Sequence, residues 1–273
     1  MTRTKLVTTC ATTLFVALSL VACDQGSGSS FARKSTTTSS QQSPVDDGTS
    51  SNGEENELPD DVDTGDAGDA TGQSAPALSA VDINAARTAL GSLPTRGFSP
   101  NVPKYDRNEF GKPWSDDVTV DGGHNGCDTR NDILARDLTD VEFKPAKRNC
   151  IVTKGKLNDP YTNTTIEFKR GRKSSDLIPI DHVVALGDAW YSGAYQWDAD
   201  RRRNFANDPI NLQATNRESN TQKSAKNAAE WLPPNTAYQC EYVGRQITIK
   251  STYGLSVTPA EKNAMEKVLA TCS

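Results

Sequence analysis

The chain has 273 residues, of which 24% are charged and 35% hydrophobic, and its formal net charge is −5. Its main apolar run, Leu14 to Val21, is too short to span a bilayer, which excludes a permanent transmembrane helix there. The acidic excess belongs to residues 24–80, where eleven acidic residues face two basic ones, so residues 81–273 are mildly basic. That charge permits an anionic substrate without demanding one.

In chain order, Arg3 and Lys5 precede the apolar run and Leu20-Val21-Ala22-Cys23 closes it. The tetrapeptide resembles the bacterial lipobox. The resemblance implies a lipoprotein signal peptide over residues 1–22 and acyl chains on Cys23 that anchor the protein to a membrane outside the cytoplasm. An ordinary secretory signal is the alternative. Residues 23–80 are rich in Ser, Thr, Gly and acids. They cannot bury enough apolar surface to offset their ordering entropy, and so read as a tether. Residues 81–273 suffice for one hydrophobic core.

Within that domain, 82–92 reads as a short amphipathic helix, and 95–127 as long loops rich in Gly, Pro, Asn and Asp. Residues 128–138 read as a helix capped by Asp128 or Thr129. The stretches 150–157 and 164–171, joined by Asn-Asp-Pro-Tyr-Thr-Asn, read as a hairpin. Leu177–Val184 reads as a third strand, followed by helices over 184–193 and 198–206. Pro209 pushes Asp208 into an extended conformation, so 210–215 reads as a short strand. Helices follow over 216–229 and 236–250. The last helix is announced by Thr258-Pro259-Ala260-Glu261, a capping residue, a first-turn proline and an acid three residues after the cap. The fold class is α+β, a mostly helical domain around a small antiparallel sheet.

Four cysteines remain in the exported domain: Cys127, Cys150, Cys240 and Cys272. Two disulfides are expected, and of the three possible pairings sequence proximity favours Cys127–Cys150 and Cys240–Cys272. A structural zinc is not expected, because no two of them form a Cys-x-x-Cys pair.

Chemistry concentrates downstream. Asp181-His182 ends the third strand, Asn211 opens the short strand, Asn220 follows nine residues later and Lys223 three after that. "DH", "NLQ" and "NTQK" at these spacings resemble the HNH, or ββα-metal, endonucleases. "GCDTRNDIL", "DPYT", "IDHVVALGDAW", "NDPINLQA" and "WLPPN" resemble exported bacterial members related to the nuclease part of GmrSD-type restriction enzymes. The resemblance covers roughly residues 80–273 and implies a ββα-metal motif and metal-dependent hydrolysis of DNA, with RNA also possible.

It also implies roles for individual residues. His182 is the general base, a task suited to a neutral imidazole. Asp181 and the amide oxygen of Asn220 hold a divalent cation, Mg²⁺ before Mn²⁺. Asn211 fixes the loop and orients the imidazole. Lys223 meets phosphate.

Two departures from the resemblance stand out: Asn216 and Ser219 occupy the positions where many HNH proteins carry zinc cysteines, and 29 residues separate His182 from Asn211. Arg130 is read as a phosphate ligand or as a partner of a nearby acid. Arg201–Arg203 read as a solvated helix face. Lys169, Arg170, Arg172 and Lys173 read as a backbone-binding patch or a solvated hairpin end. His124 reads as solvated, and the aromatic residues of 190–197 as core. The competing function is an inactive HNH-fold envelope lipoprotein that binds without cleaving.

Overall fold

A computed structural model of the chain describes residues 80–97, 99–146, 148–172 and 174–273. The expected signal peptide, the lipid site at Cys23 and the tether up to residue 79 lie outside these residues.

Asp82 takes up the Asn84 and Ala85 amides and opens α1 (Ile83–Ser92). Loops follow, interrupted by one 3₁₀ turn, Arg107–Phe110, capped by Asp106. Asp128 accepts the Asn131 amide and opens α2 (Thr129–Asp137). Sequence pattern places Leu138 at the end of this helix, but in the structure it starts β1 (Leu138–Phe143). β1 pairs antiparallel with β2 (Val152–Asp159), and β2 pairs with β3 (Thr164–Lys169), in the order β1-β2-β3. The irregular register of β1 coincides with Asp140 at φ +53°. At the hairpin turn Asp159 accepts the Thr162 amide and hydroxyl, and its other oxygen accepts the Thr215 hydroxyl from a distant segment.

The third strand does not join this sheet. It shortens to β4 (Ile180–His182), which leads into α3 (Leu186–Ser192) and α4 (Ala199–Asn207). β5 (Leu212–Ala214) then returns antiparallel to β4 in a separate two-stranded sheet. Two guanidinium groups hold β5 from different elements. Arg136 of α2 donates to the carbonyls of Pro209 and Leu212. Arg245, on a helix further along, donates to those of Ile210 and Leu212.

The helix read over 216–229 is shorter. α5 (Arg217–Lys223) stops at Ser224, which adopts φ +49°. α6 (Gln239–Tyr253) and α7 (Pro259–Leu269) complete the domain. Thr258 and Glu261 form the full capping box of α7. Disulfides join Cys127 to Cys150 and Cys240 to Cys272, with Cα separations of 5.3 and 5.8 Å.

The fold is α+β, with seven α-helices and two small antiparallel sheets among the described residues. Two apolar clusters form. One gathers helical residues such as Trp190, Phe205, Tyr242 and Met265. The other packs Ile133 and Leu134 of α2 against Leu157 and Phe168 of the three-stranded sheet. Ile180 belongs to the second cluster, whereas Val183 and Val184 belong to the first. Asp181 and His182 therefore stand where the chain passes from one core to the other.

Candidate active site

Three short elements converge on Asp181-His182. In the β4–β5 pair, Asp181 lies opposite Gln213 and His182 opposite Leu212. α5 follows β5 after only Thr215 and Asn216, so its side chains return to the end of β4.

Asn211 is fully buried and stitches the turn that follows His182. Its Oδ1 accepts the Val184 amide at 2.8 Å, and its Nδ2 donates to the Val184 carbonyl at 3.3 Å. The Val183 amide donates to the Asn211 carbonyl, and Gln246 of α6 donates to the Val183 carbonyl. The backbone on the C-terminal side of His182 is thereby held from two directions.

His182 Nε2 lies 2.8 Å from the Ala206 carbonyl of α4. A carbonyl only accepts, so Nε2 carries the proton and Nδ1 carries the lone pair. Trp114 stacks on the imidazole, with ring centroids 6.2 Å apart and planes at 14°. Burial pushes the imidazole down to about 3, Arg107 pushes in the same direction, and the Ala206 hydrogen bond opposes them. His182 is thus neutral through the ordinary pH range. The residue as a whole keeps 8% of its surface exposed.

Asp181 and Lys223 are arranged differently from the expectation. Asp181 Oδ1 accepts from Lys223 Nζ at 3.0 Å, and Oδ2 accepts from the Tyr161 hydroxyl at 2.7 Å. Lys223 Nζ also donates to the His182 carbonyl at 2.7 Å, and its side chain is 0% exposed. Burial pushes the Asp181 carboxyl up, and the Lys223 ammonium and Tyr161 hydroxyl pull it back down. A buried cation needs a buried anion, so this lysine faces inward and does not meet phosphate.

The same geometry tests the divalent cation. A hard cation requires oxygen ligands with open lone pairs and keeps several waters. Both Asp181 oxygens are engaged and an ammonium stands against one of them. Asn220, one turn before Lys223 on α5, is half-buried. Among the described residues no three His, Cys, Asp or Glu side chains gather into a metal site. The Asp181–Asn220 pair in this arrangement does not fit a divalent cation.

Arg130 also turns to the backbone. Its Nη2 donates to the Ser175 and Ile178 carbonyls, so it secures the entry to β4 and does not present itself to phosphate. Arg170 likewise donates to the Val152 carbonyl and the Asn131 amide oxygen. Arg201–Arg203 are not simply solvated. Arg201 donates to the Tyr253 carbonyl, Arg202 to Glu109 and the Trp197 carbonyl, and Arg203 pairs with Asp117 and Asp200. His124 is exposed, with Asp117 4.0 Å away. Trp190 is core, whereas Tyr191 is 42% exposed.

Tyr161, Trp114 and Ala206 carry no signal of this role in the sequence. Tyr161 lies in the segment Asp159-Pro160-Tyr161-Thr162, and only the fold brings its hydroxyl to Asp181. Trp114 sits in a loop without periodicity, at φ +57°, a conformation uncommon for a bulky residue. No local pattern announces a backbone carbonyl such as that of Ala206.

Comparison with known proteins places this geometry in context. Residues 128–268 match the family model described as GmrSD restriction endonucleases, C-terminal domain. An "Uncharacterized secreted protein" of Arthroderma benhamiae is 37% identical over 202 residues, covering 72% of this chain and 91% of that protein. The likeness is therefore not confined to bacteria. No solved structure matches significantly.

Proposed function

The chain belongs to the family of the GmrSD restriction endonuclease C-terminal domain, and from that premise we propose that it hydrolyses phosphodiester bonds of DNA outside the cell by an HNH-type mechanism based on His182. The family supports a nuclease-like function. The secreted relative and the two disulfides fit an extracellular protein.

The observation that carries the reading is the fixed state of the imidazole. Its Nε2–H is committed to the Ala206 carbonyl, which leaves Nδ1 as the acceptor, and the Asn211-stitched turn holds its backbone. Nδ1 then takes a proton from water. The resulting hydroxide bonds to phosphorus, the opposite P–O ester bond breaks, the leaving oxygen takes a proton from solvent, and the imidazolium returns its own proton to solvent. No step is routed through a metal, because the Asp181–Asn220 pair does not fit one here.

The test incubates the purified chain with supercoiled plasmid, in EDTA and separately in Mg²⁺ or Mn²⁺, beside His182→Ala. The unmodified chain is expected to nick the plasmid, with His182→Ala slower by roughly 10²–10⁴-fold. Equal inertness of both proteins on DNA and RNA in every condition would sink the hydrolase reading and leave a binding protein.

A further inference from the structure

A fixed tautomer does not by itself aim a base. The imidazole of His182 is held at Nε2 by the Ala206 carbonyl. The torsion that turns such a ring is broad, and Nε2 lies near its axis. A hydrogen bond at that atom leaves the plane of the ring weakly determined, and with it the direction of the Nδ1 lone pair. A flat partner against the ring face supplies what is missing.

Trp114 is in that position. Its ring lies at 14° to the imidazole with centroids 6.2 Å apart, an offset parallel arrangement. The loop that carries it is fastened at several points. At the start of α2 the Thr129 amide donates to the Trp114 carbonyl, and the Thr129 hydroxyl donates to the Ser115 carbonyl. Further along, the Thr119 amide donates to Asn204 Oδ1, Asn204 Nδ2 donates back to the Thr119 hydroxyl, and Asp117 pairs with Arg203. Arg203 and Asn204 belong to α4, the helix whose Ala206 carbonyl holds Nε2. One helix therefore places both the loop bearing Trp114 and the bond that sets the tautomer.

The backbone agrees. Trp114 stands at φ +57°, in the left-handed region that a bulky side chain rarely adopts. Such a conformation persists only where the surroundings over-determine it, and it recurs at functional sites. Burial is a weak reason to hold it here, because Trp114 is only partly buried at the edge of the apolar cluster of α2 and the three-stranded sheet.

We propose that Trp114 is the positioning residue of the base: its ring sets the plane of the His182 imidazole and so aims Nδ1. The proposal rests on the hydrolase reading of His182.

The test compares four variants of the full chain with the unmodified protein. Trp114→Gly removes the ring at a position whose φ glycine adopts without strain. Trp114→Leu keeps apolar bulk without a flat face, and Trp114→Phe keeps a flat face. Phe143→Ala removes another partly buried aromatic of the same cluster. Cleavage of a fluorescein-labelled DNA duplex gives kcat and KM. Trp114→Gly and Trp114→Leu should each lower kcat by roughly 10–100-fold with KM little changed. Trp114→Phe should recover most of kcat, and Phe143→Ala should lower the urea midpoint while leaving kcat unchanged. NMR of chains with labelled histidine reads the ring directly, since the chain has only two histidines and His182→Ala assigns the signals. The His182 ring signals should shift and broaden in Trp114→Gly and Trp114→Leu, while those of the exposed His124 stay in place. Unchanged kcat or unmoved His182 signals in these two variants overturns the proposal, as does an equal loss of kcat in Phe143→Ala. The two readouts separate this from failure of the hydrolase reading. A chain that never cleaves, yet whose His182 signals depend on Trp114, removes the hydrolase and keeps the positioning contact. Cleavage indifferent to Trp114 removes the positioning role and keeps the hydrolase.

Discussion

Lys223 and Asp181 are 0% and 5% exposed, and neither tolerates the loss of the other. Removing one member of a buried pair strands an uncompensated charge, whereas replacing both leaves a shape that apolar or neutral groups can fill. Lys223→Met is therefore expected to lower unfolding stability by about 3–5 kcal/mol. The double variant Asp181→Asn with Lys223→Met should recover most of that loss, as read by urea denaturation. Additive losses would show that the two charges are not coupled. The residue types were legible at this scale, and Asn220 and Lys223 lie on one helix, α5. What the lysine touches was not legible. A lysine at the rim and a lysine in the interior read alike in sequence, and it is the buried Asp181 carboxylate and the His182 carbonyl that hold this one inside.

α5 shows how one residue ends an element. The stretch from Asn216 to Ala229 contains no Gly or Pro, so its pattern continues past the true end. Ser224 stops it by adopting φ +49° and ψ −130°, a region that favours glycine. Ser224→Gly is expected to stabilise the chain by about 0.5–1 kcal/mol, seen as a higher denaturation midpoint at unchanged m-value. A lower midpoint would mean that the serine side chain contributes more than its backbone conformation costs. The capped helices were the most legible elements, because Asp82, Asp128, Asp198 and Thr258 each bond within three residues of themselves. β1 and the pairing of β4 were less so. Leu138 fits the apolar face of a helix as well as the first position of a strand, and it becomes a strand residue by lying opposite Leu157. β4 finds β5 across the intervening α3 and α4.

At the scale of the molecule, two cores share one chain segment, and two disulfides tie distant elements together. Cys240 lies at the start of α6 and Cys272 beyond the end of α7, 32 residues apart. Closing a loop of that length removes entropy from the unfolded chain, worth about 3–4 kcal/mol. Cys240→Ser with Cys272→Ser should cost about that much in a denaturation midpoint measurement. A negligible change would show that α6 and α7 are held by packing alone. The sequence by itself determined the helix caps and the charge asymmetry between residues 24–80 and the domain, which follow from composition or from backbone geometry over a few residues; the grouping of the Asp-His pair with a downstream Asn and Lys came from the family resemblance. The tertiary structure alone decided that Lys223 is sealed inside, that the Tyr161 hydroxyl meets Asp181, and that the Ala206 carbonyl sets the tautomer of His182. Each of those depends on which surfaces pack together across long stretches of chain, and burial then decides which charges must pair and which stay exposed.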